Sequence, residues 1–312
     1  MPKLNRIFEL TIEPPAVVLD QNNKAVLSTD STRETHVITN PISITFAVAR
    51  KNLAELRNAR FQIFNLNQSI REDIYHDPGN FQVLRKMTFK AGYENGDLST
   101  IFEGRITECF SYRDEGSVDV ITEINAFDLG GHAIINSFSK FIMAPPVVPV
   151  VNQKLVIEQL IKNLEDYGLK RGAVGNTYTK ELFRGYTVCS QTWEALKSIT
   201  GNTCYVDNGK VYCISDSEYV DGEIIVLDSD TGLLSTPKKR ERLIYVDMVF
   251  EPSLLIGNLV SLESRVVPRY NGVYKITSID HVGIMSESLG GKCRTSVGLY
   301  IPPEALQRIV FS

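Results

Sequence analysis

The side chains that build hydrolytic, metal and nucleophilic sites are present in this sequence, but their spacing assembles none of those sites. The four histidines stand at His36, His76, His132 and His281, with neither the HxH nor the HExxH spacing of a metal centre. No GxSxG nucleophile elbow occurs, and no glycine-rich phosphate loop ends in Gly-Lys-Ser or Gly-Lys-Thr. Gly130-Gly131-His132 has the look of an oxyanion loop, but no nucleophile motif accompanies it, so it reads as a flexible exit from the preceding strand. Carboxylates are numerous, yet most fall on the polar positions of strands or at turns. His281, at a strand end ahead of Gly283, is expected to be a packed, hydrogen-bonded residue. No catalytic, cofactor-binding or metal-binding residue is assigned, and no cofactor is expected.

Two clusters outside that chemistry stand out. The five cysteines, at 109, 189, 204, 213 and 293, show no CxxC spacing. If Asn208-Gly209 forms a two-residue turn, Cys204 and Cys213 face each other across a hairpin, and two reduced, buried thiols are expected there. Lys238-Lys239-Arg240-Glu241-Arg242 is the densest basic run. It reads as a solvated inter-strand loop, with docking to an acidic partner surface as the sharper alternative.

Composition narrows the partners. The 312 residues carry a formal charge of −4, with 43% hydrophobic and 22% charged residues, which is a globular composition. Residues 1–140 hold 15 basic and 18 acidic residues, 141–222 hold 8 and 9, and 223–312 hold 10 and 10. No segment has the cationic excess that gripping a phosphate backbone requires. No stretch spans a bilayer, and the start lacks the apolar core of a secretory signal, which points to a soluble chain made in a cytoplasm.

The elements are mainly strands. Residues 1–140 alternate apolar and polar positions over 7–12, 42–48, 60–64, 83–93, 100–112 and 118–127, with a short helix to Tyr75 capped by Asn67 or Ser69. Asn95-Gly96 is expected to supply two positive φ angles to a tight hairpin. Val118, Val120, Thr122, Ile124 and Ala126 share a core face, with Asp119, Glu123 and Asn125 on a wet one. The run from Gln21 to Thr35 reads as a long polar loop. Pro145-Pro146-Val147-Val148-Pro149 is a stiff link. Beyond it a helix capped by Asn152 runs through Tyr167 with Gly168 as an αL cap, and a second spans about 191–199 before Gly201. With the hairpin 203–215 they form a small α+β, LysM-like module at 141–222. Residues 223–312 return to strands. The expected fold is mainly β with an α+β insertion: two tube-type antiparallel β-barrels, at 1–140 and 223–312, around that module.

In order along the chain, Ala59-Arg60-Phe61-Gln62-Ile63-Phe64-Asn65-Leu66, Phe89-Lys90-Ala91-Gly92-Tyr93, Ile101-Phe102-Glu103-Gly104-Arg105-Ile106 and Ile124-Asn125-Ala126-Phe127-Asp128 are followed by Thr231-Gly232-Leu233-Leu234, Gly257-Asn258-Leu259-Val260 and Asn271-Gly272-Val273-Tyr274-Lys275, with His281 and Gly283 after them. This series resembles the baseplate hub proteins of contractile-tail phages, of the Mu-like and T-even kind, whose relatives occur in phage-tail-like bacteriocins and contractile injection systems. The resemblance implies a non-enzymatic homotrimer whose two barrels per chain alternate in a ring. Such a hub is a symmetry adapter between a six-fold tail tube, or tube initiator, and a three-fold central spike, with wedge proteins as further neighbours. DNA would pass through its lumen only in transit during genome ejection, and the protein would reside in the virion baseplate after assembly in the host cytoplasm, without membrane insertion. No family motif is identified in the loop from Gln21 to Thr35 or the stretch from Lys180 to Tyr186, and neither is assigned a partner. A tail-associated cell-wall hydrolase and a glycan-binding tail module are the alternatives.

Overall fold

The computed structural model describes residues 5–15, 17–19, 25–27, 34–52, 58–77, 84–143, 151–183, 185–287, 291–301 and 307–309. Alternating apolar residues generate the strands, and most of these join one thirteen-stranded sheet. From one end its order is Lys238–Arg240, Leu243–Val249, Cys293–Tyr300, Gly272–Met285, Ile44–Lys51, Asn58–Phe64, Ile121–Asp128, Ser99–Tyr112, Lys86–Tyr93, Arg6–Ile12 and His36–Thr39. Leu259–Leu262 and Ile225–Leu227 branch from Gly272–Met285.

The mainly β architecture is as expected, but no closed barrel is found among the described residues. The 14-residue strand Gly272–Met285 is shared between the two halves of the chain. Its first residues pair with Leu259–Leu262, while Ser278–Met285 pair with Ile44–Lys51 of the N-terminal half. A bulge between Ile276 and Ser278 separates the two roles. Gly272–Met285 therefore belongs to the strands of both halves and joins them into one ladder.

Among the described residues, three apolar clusters fill the interior. One gathers Phe8, Phe46, Phe61, Phe89 and Phe102 and takes in Phe250, Met285 and Cys293 from the C-terminal half. Phe89 sits 5.1 Å from both Phe46 and Phe61, ring centre to ring centre. The second packs helices Gln153–Glu165 and Thr192–Thr200 over the hairpin Cys204–Asp207/Lys210–Cys213. The third fills the C-terminal strands.

Local punctuation follows the sequence closely in the helical part. The Asn152 side chain accepts from the Leu155 N–H at 2.9 Å, and Gly201 closes the second helix at φ 67°, ψ 37°. Asn208 and Gly209 have φ of 47° and 70°, as a tight hairpin of right-twisted strands demands, and Cys204 stands opposite Cys213. Asn67 caps the helix Gln68–Ile74.

Several expectations are corrected. Neither Asn95 nor Gly96 adopts a positive φ. A bulge between Phe89 and Lys90 lengthens that hairpin loop, which instead turns through a Gly96 N–H bond to the Tyr93 carbonyl. Gly130-Gly131-His132 opens the helix Gly130–Asn136 rather than leaving the strand as a flexible exit. A Cβ on Gly130 would lie 2.9 Å from Val206, so glycine permits the close approach of helix and hairpin. Part of the expected polar loop is the strand Ala25–Leu27, paired with Val17–Leu19; residues 21–24 and 28–33 fall outside the described residues, as does the link 145–149. Strands Phe138–Met143 and Tyr186–Gln191 form a ribbon that the sequence did not signal.

Candidate functional site: the polar face and the joint of the sheet

Opposite its apolar core the sheet presents a polar face that crosses both halves of the chain. In the N-terminal half three of its cations are matched by carboxylates. Lys90 donates to Glu9 at 3.0 Å, Lys86 lies 2.9 Å from Glu103, and Arg60 donates to Glu123 at 2.7 Å. Glu123 was expected on a wet face, yet it is buried beneath Arg60, Gln62 and Tyr112. Burial alone would raise its pKa, but the hydrogen bonds from Arg60 and Gln62 outweigh it and hold the carboxyl below its usual range.

At the centre of this face the side chains shrink. Ala47 and Ala49, beside Val282, floor a groove of about 610 Å³ bounded by Arg60, Asn125, Asp280 and Arg294. Burial lifts the Asp280 carboxyl above the usual range against the pull of Lys51. This groove lies over the line where Ile44–Lys51 and Gly272–Met285 pair.

Beneath the same line sits a buried polar joint. On the strand Ile44–Lys51 the positions of Ile44, Phe46, Val48 and Arg50 share the core face, so Arg50 is a cation among hydrophobics. Its guanidinium reaches Asp207 of the Asn208-Gly209 hairpin and the Leu254 carbonyl, at 3.2 Å. Burial pulls the Arg50 pKa down, and the adjacent Asp207 carboxylate more than restores it. One polar residue at an apolar register position was the sequence signal for this joint, and it named no partner. His281 is fully buried in the strand opposite, across from Val48. Its Nδ1 lies 2.9 Å from Thr295 Oγ1, its ring meets Phe250 edge-on, and its Nε2 has no partner. Burial and the neighbouring Arg50 push its pKa down to about 3, against the pull of Asp207.

The other singled-out residues lie apart from the joint. Cys204 and Cys213 are free, buried thiols; burial lifts Cys204 to about 11 and raises Cys213 as well. The basic run is not a loop. Lys238–Arg240 is an exposed edge strand paired to Leu243–Val249, because Glu241 at φ 55° turns the chain within two residues. His36 contacts Asp73 at 2.7 Å, and the His132 side chain is outside the described set. Among the described residues no group of histidine, cysteine and carboxylate side chains is gathered to hold a metal, and no helix is long and apolar enough to cross a membrane.

Known proteins place this architecture. The 43 kDa tail protein of prophage MuSo2 from Shewanella oneidensis superposes with a TM-score of 0.55 at 10% identity, covering 93% of this chain and 96% of that one. A tail protein from Neisseria meningitidis MC58 gives 0.53 at 10% identity, over 94% and 96%. The E. coli c3393 protein, described as a type VI secretion component structurally similar to the T4 tail proteins gp27 and gp5, gives 0.51 at 10% identity, over 86% and 76%. At such identities the likeness is one of fold. No curated protein sequence matches the chain. The family described as baseplate hub gp41 matches residues 23–284, well over half of the sequence. By that match the chain belongs to the baseplate hub gp41 family, the structural hubs of phage tails.

Proposed function

We propose that this hub is a trimeric symmetry adapter that joins a six-fold tail tube to a three-fold spike and lines the channel through which DNA leaves. The observation that carries the reading is the hydrogen-bonded ladder running without a break from the N-terminal to the C-terminal strands, with one polar face. Three copies of such a two-part sheet, set around an axis, supply six similar segments from three chains. The segments are 1–140 and 223–312, with 141–222 outside the ring, free to touch wedge proteins.

A channel for a polyanion must not hold it. On the polar face Lys86, Lys90 and Arg60 are each engaged by a carboxylate, which makes these three less open to a passing phosphate backbone. The hub works by surface complementarity, as part of the virion, and carries out no chemistry of its own. Light scattering of the full chain and a reconstruction of the tail tip test this together. Trimer mass and a lumen without net cationic lining are expected. A chain that stays monomeric beside its spike, a lumen lined mainly by Lys and Arg, or peptidoglycan turnover abolished by a single substitution would overturn it.

A further inference from the structure

Charge is unevenly spread where the chain enters its C-terminal strands. Between Lys210 and Lys238 the sequence has six carboxylates, Asp216, Glu218, Asp221, Glu223, Asp228 and Asp230, and no Lys or Arg. Glu218 is spent inside the fold, where it accepts from the Asn176 and Thr177 N–H groups. Within this run the strand Ile225–Leu227 pairs, among the described residues, on one side only, with Leu259–Leu262. Beside it lies a groove of about 680 Å³, lined by the apolar Ile225, Met248 and Val249 and by the carboxylates of Glu223, Asp230 and Glu251. Ile224 and Val226 complete its apolar part and are 48% and 36% exposed. No Lys or Arg is in the lining. On the flanking elements Arg265 is held by Asp230 at 3.0 Å, the Arg269 guanidinium lies over the Tyr270 ring, and Lys275 is buried on the Ser215 carbonyl. Arg294, opposite Val249, lines the groove over the joint instead. Lys238–Arg240 pair with the far end of Leu243–Val249, and Arg308 stands in register with Tyr219, which is not in the lining.

We propose that this groove receives a cationic, aliphatic segment of another protein, one in which Lys or Arg side chains stand beside Val, Leu or Ile. A Lys or Arg side chain is an apolar stem with a charged head. Its stem covers Ile224 and Val226 while its head meets Glu223 and Glu251, and an aliphatic neighbour fills the floor beside Met248 and Val249. A wholly apolar partner would strip water from three carboxylates and return no countercharge. A polyanion is repelled by the same carboxylates. The groove of a second copy carries like charge, and the strand Lys238–Arg240 has no aliphatic residue to fill the floor. The contact needs one folded chain only, so it does not rest on the ring.

Fluorescence anisotropy on the full chain tests this with three labelled peptides, of alternating Val and Lys, Val and Glu, and Ser and Lys. Wild type is expected to bind the Val–Lys peptide about tenfold or more tightly than either of the others. Glu223→Lys with Asp230→Lys is expected to weaken the Val–Lys peptide about tenfold or more and to strengthen the Val–Glu peptide. Ile224→Ser is expected to weaken the Val–Lys peptide severalfold. Asp114→Lys with Glu115→Lys, in an exposed turn of the N-terminal half, makes the same change in net charge and is expected to stay within about twofold of wild type. Thermal unfolding confirms that these exposed substitutions leave the fold intact. Equal binding of the Val–Lys and Ser–Lys peptides, an equal loss in the turn variant, or no effect of Ile224→Ser would overturn the proposal, as would a wild type that binds none of the peptides. Light scattering separates the remaining occupant: groove variants that lose oligomeric mass would assign the groove to a second copy and overturn the proposal. A wild-type chain that is monomeric yet binds the Val–Lys peptide selectively would support the groove and overturn only the ring.

Discussion

Arg50 donates twice to Asp207, through Nε at 3.0 Å and through Nη2 at 2.6 Å, and both side chains are almost wholly buried. The pair ties the central strand of the sheet to the turn of the helical module. Asp207→Ala leaves an uncompensated guanidinium in the interior and is expected to cost about 3–5 kcal/mol. Replacing both residues, Arg50→Met with Asp207→Leu, is expected to cost less than the single change. Urea denaturation midpoints of the three proteins check the order, and a double variant weaker than Asp207→Ala would refute it.

His281 makes stability depend on pH. Its folded-state pKa of about 3 lies below the ordinary value of 6.5, so below pH 6.5 the unfolded chain binds a proton that the folded chain refuses. The contribution of this residue is intact above pH 6.5 and is lost progressively as pH falls toward 3. Its slope is about 1.4 kcal/mol per pH unit within that window. Unfolding free energies of wild type and His281→Gln between pH 7 and 4 should therefore converge as pH falls; a constant difference would contradict the assignment.

Gly130 is set by Val206. Gly130→Ala places a methyl group 2.9 Å from both Val206 methyls and is expected to cost about 1–3 kcal/mol. Val206→Ala in the same chain should recover part of that loss. Thermal melts of the two single variants and the double variant measure the coupling, and strict additivity would count against the contact.

Cys204 and Cys213 are expected to be dispensable for assembly. Replacing both with Val keeps buried apolar volume opposite each other in the hairpin and should cost at most a few kcal/mol. Oligomeric mass is expected to match wild type, with or without reductant. Loss of assembly on mild reduction of the wild type would show that a disulfide operates there.

What was legible in the sequence was what short range controls. Asn152, Gly201 and the pair Asn208-Gly209 fix caps and a turn through the conformations of their own residues, and the structure places each as read. Asn95-Gly96 failed because a bulge six residues earlier, at Phe89, changed the loop length that the turn must close. Glu123 was read as wet because alternation reports a face, while its cover comes from Arg60 and Tyr112 on neighbouring strands. Arg50 could be noticed on an apolar face, but its partner lies 157 residues away, and no periodicity carries that information. The same range hid the sharing of Gly272–Met285, which joins the strands of both halves into one ladder.

That shared strand also sets a timetable for the protein's birth. Ser43, beside the central strand, bonds to Ser286 at 2.7 Å across 243 residues of chain. A ribosome working at about 5–20 residues per second needs roughly 12–50 seconds to cover that distance. Throughout that interval Ile44–Lys51 has been made and its permanent neighbour has not. Contacts this distant in sequence are late to form, because the loop they close must lose its freedom first. The N-terminal half waits with an open strand edge, and the ladder becomes continuous only after nearly the whole chain has left the ribosome.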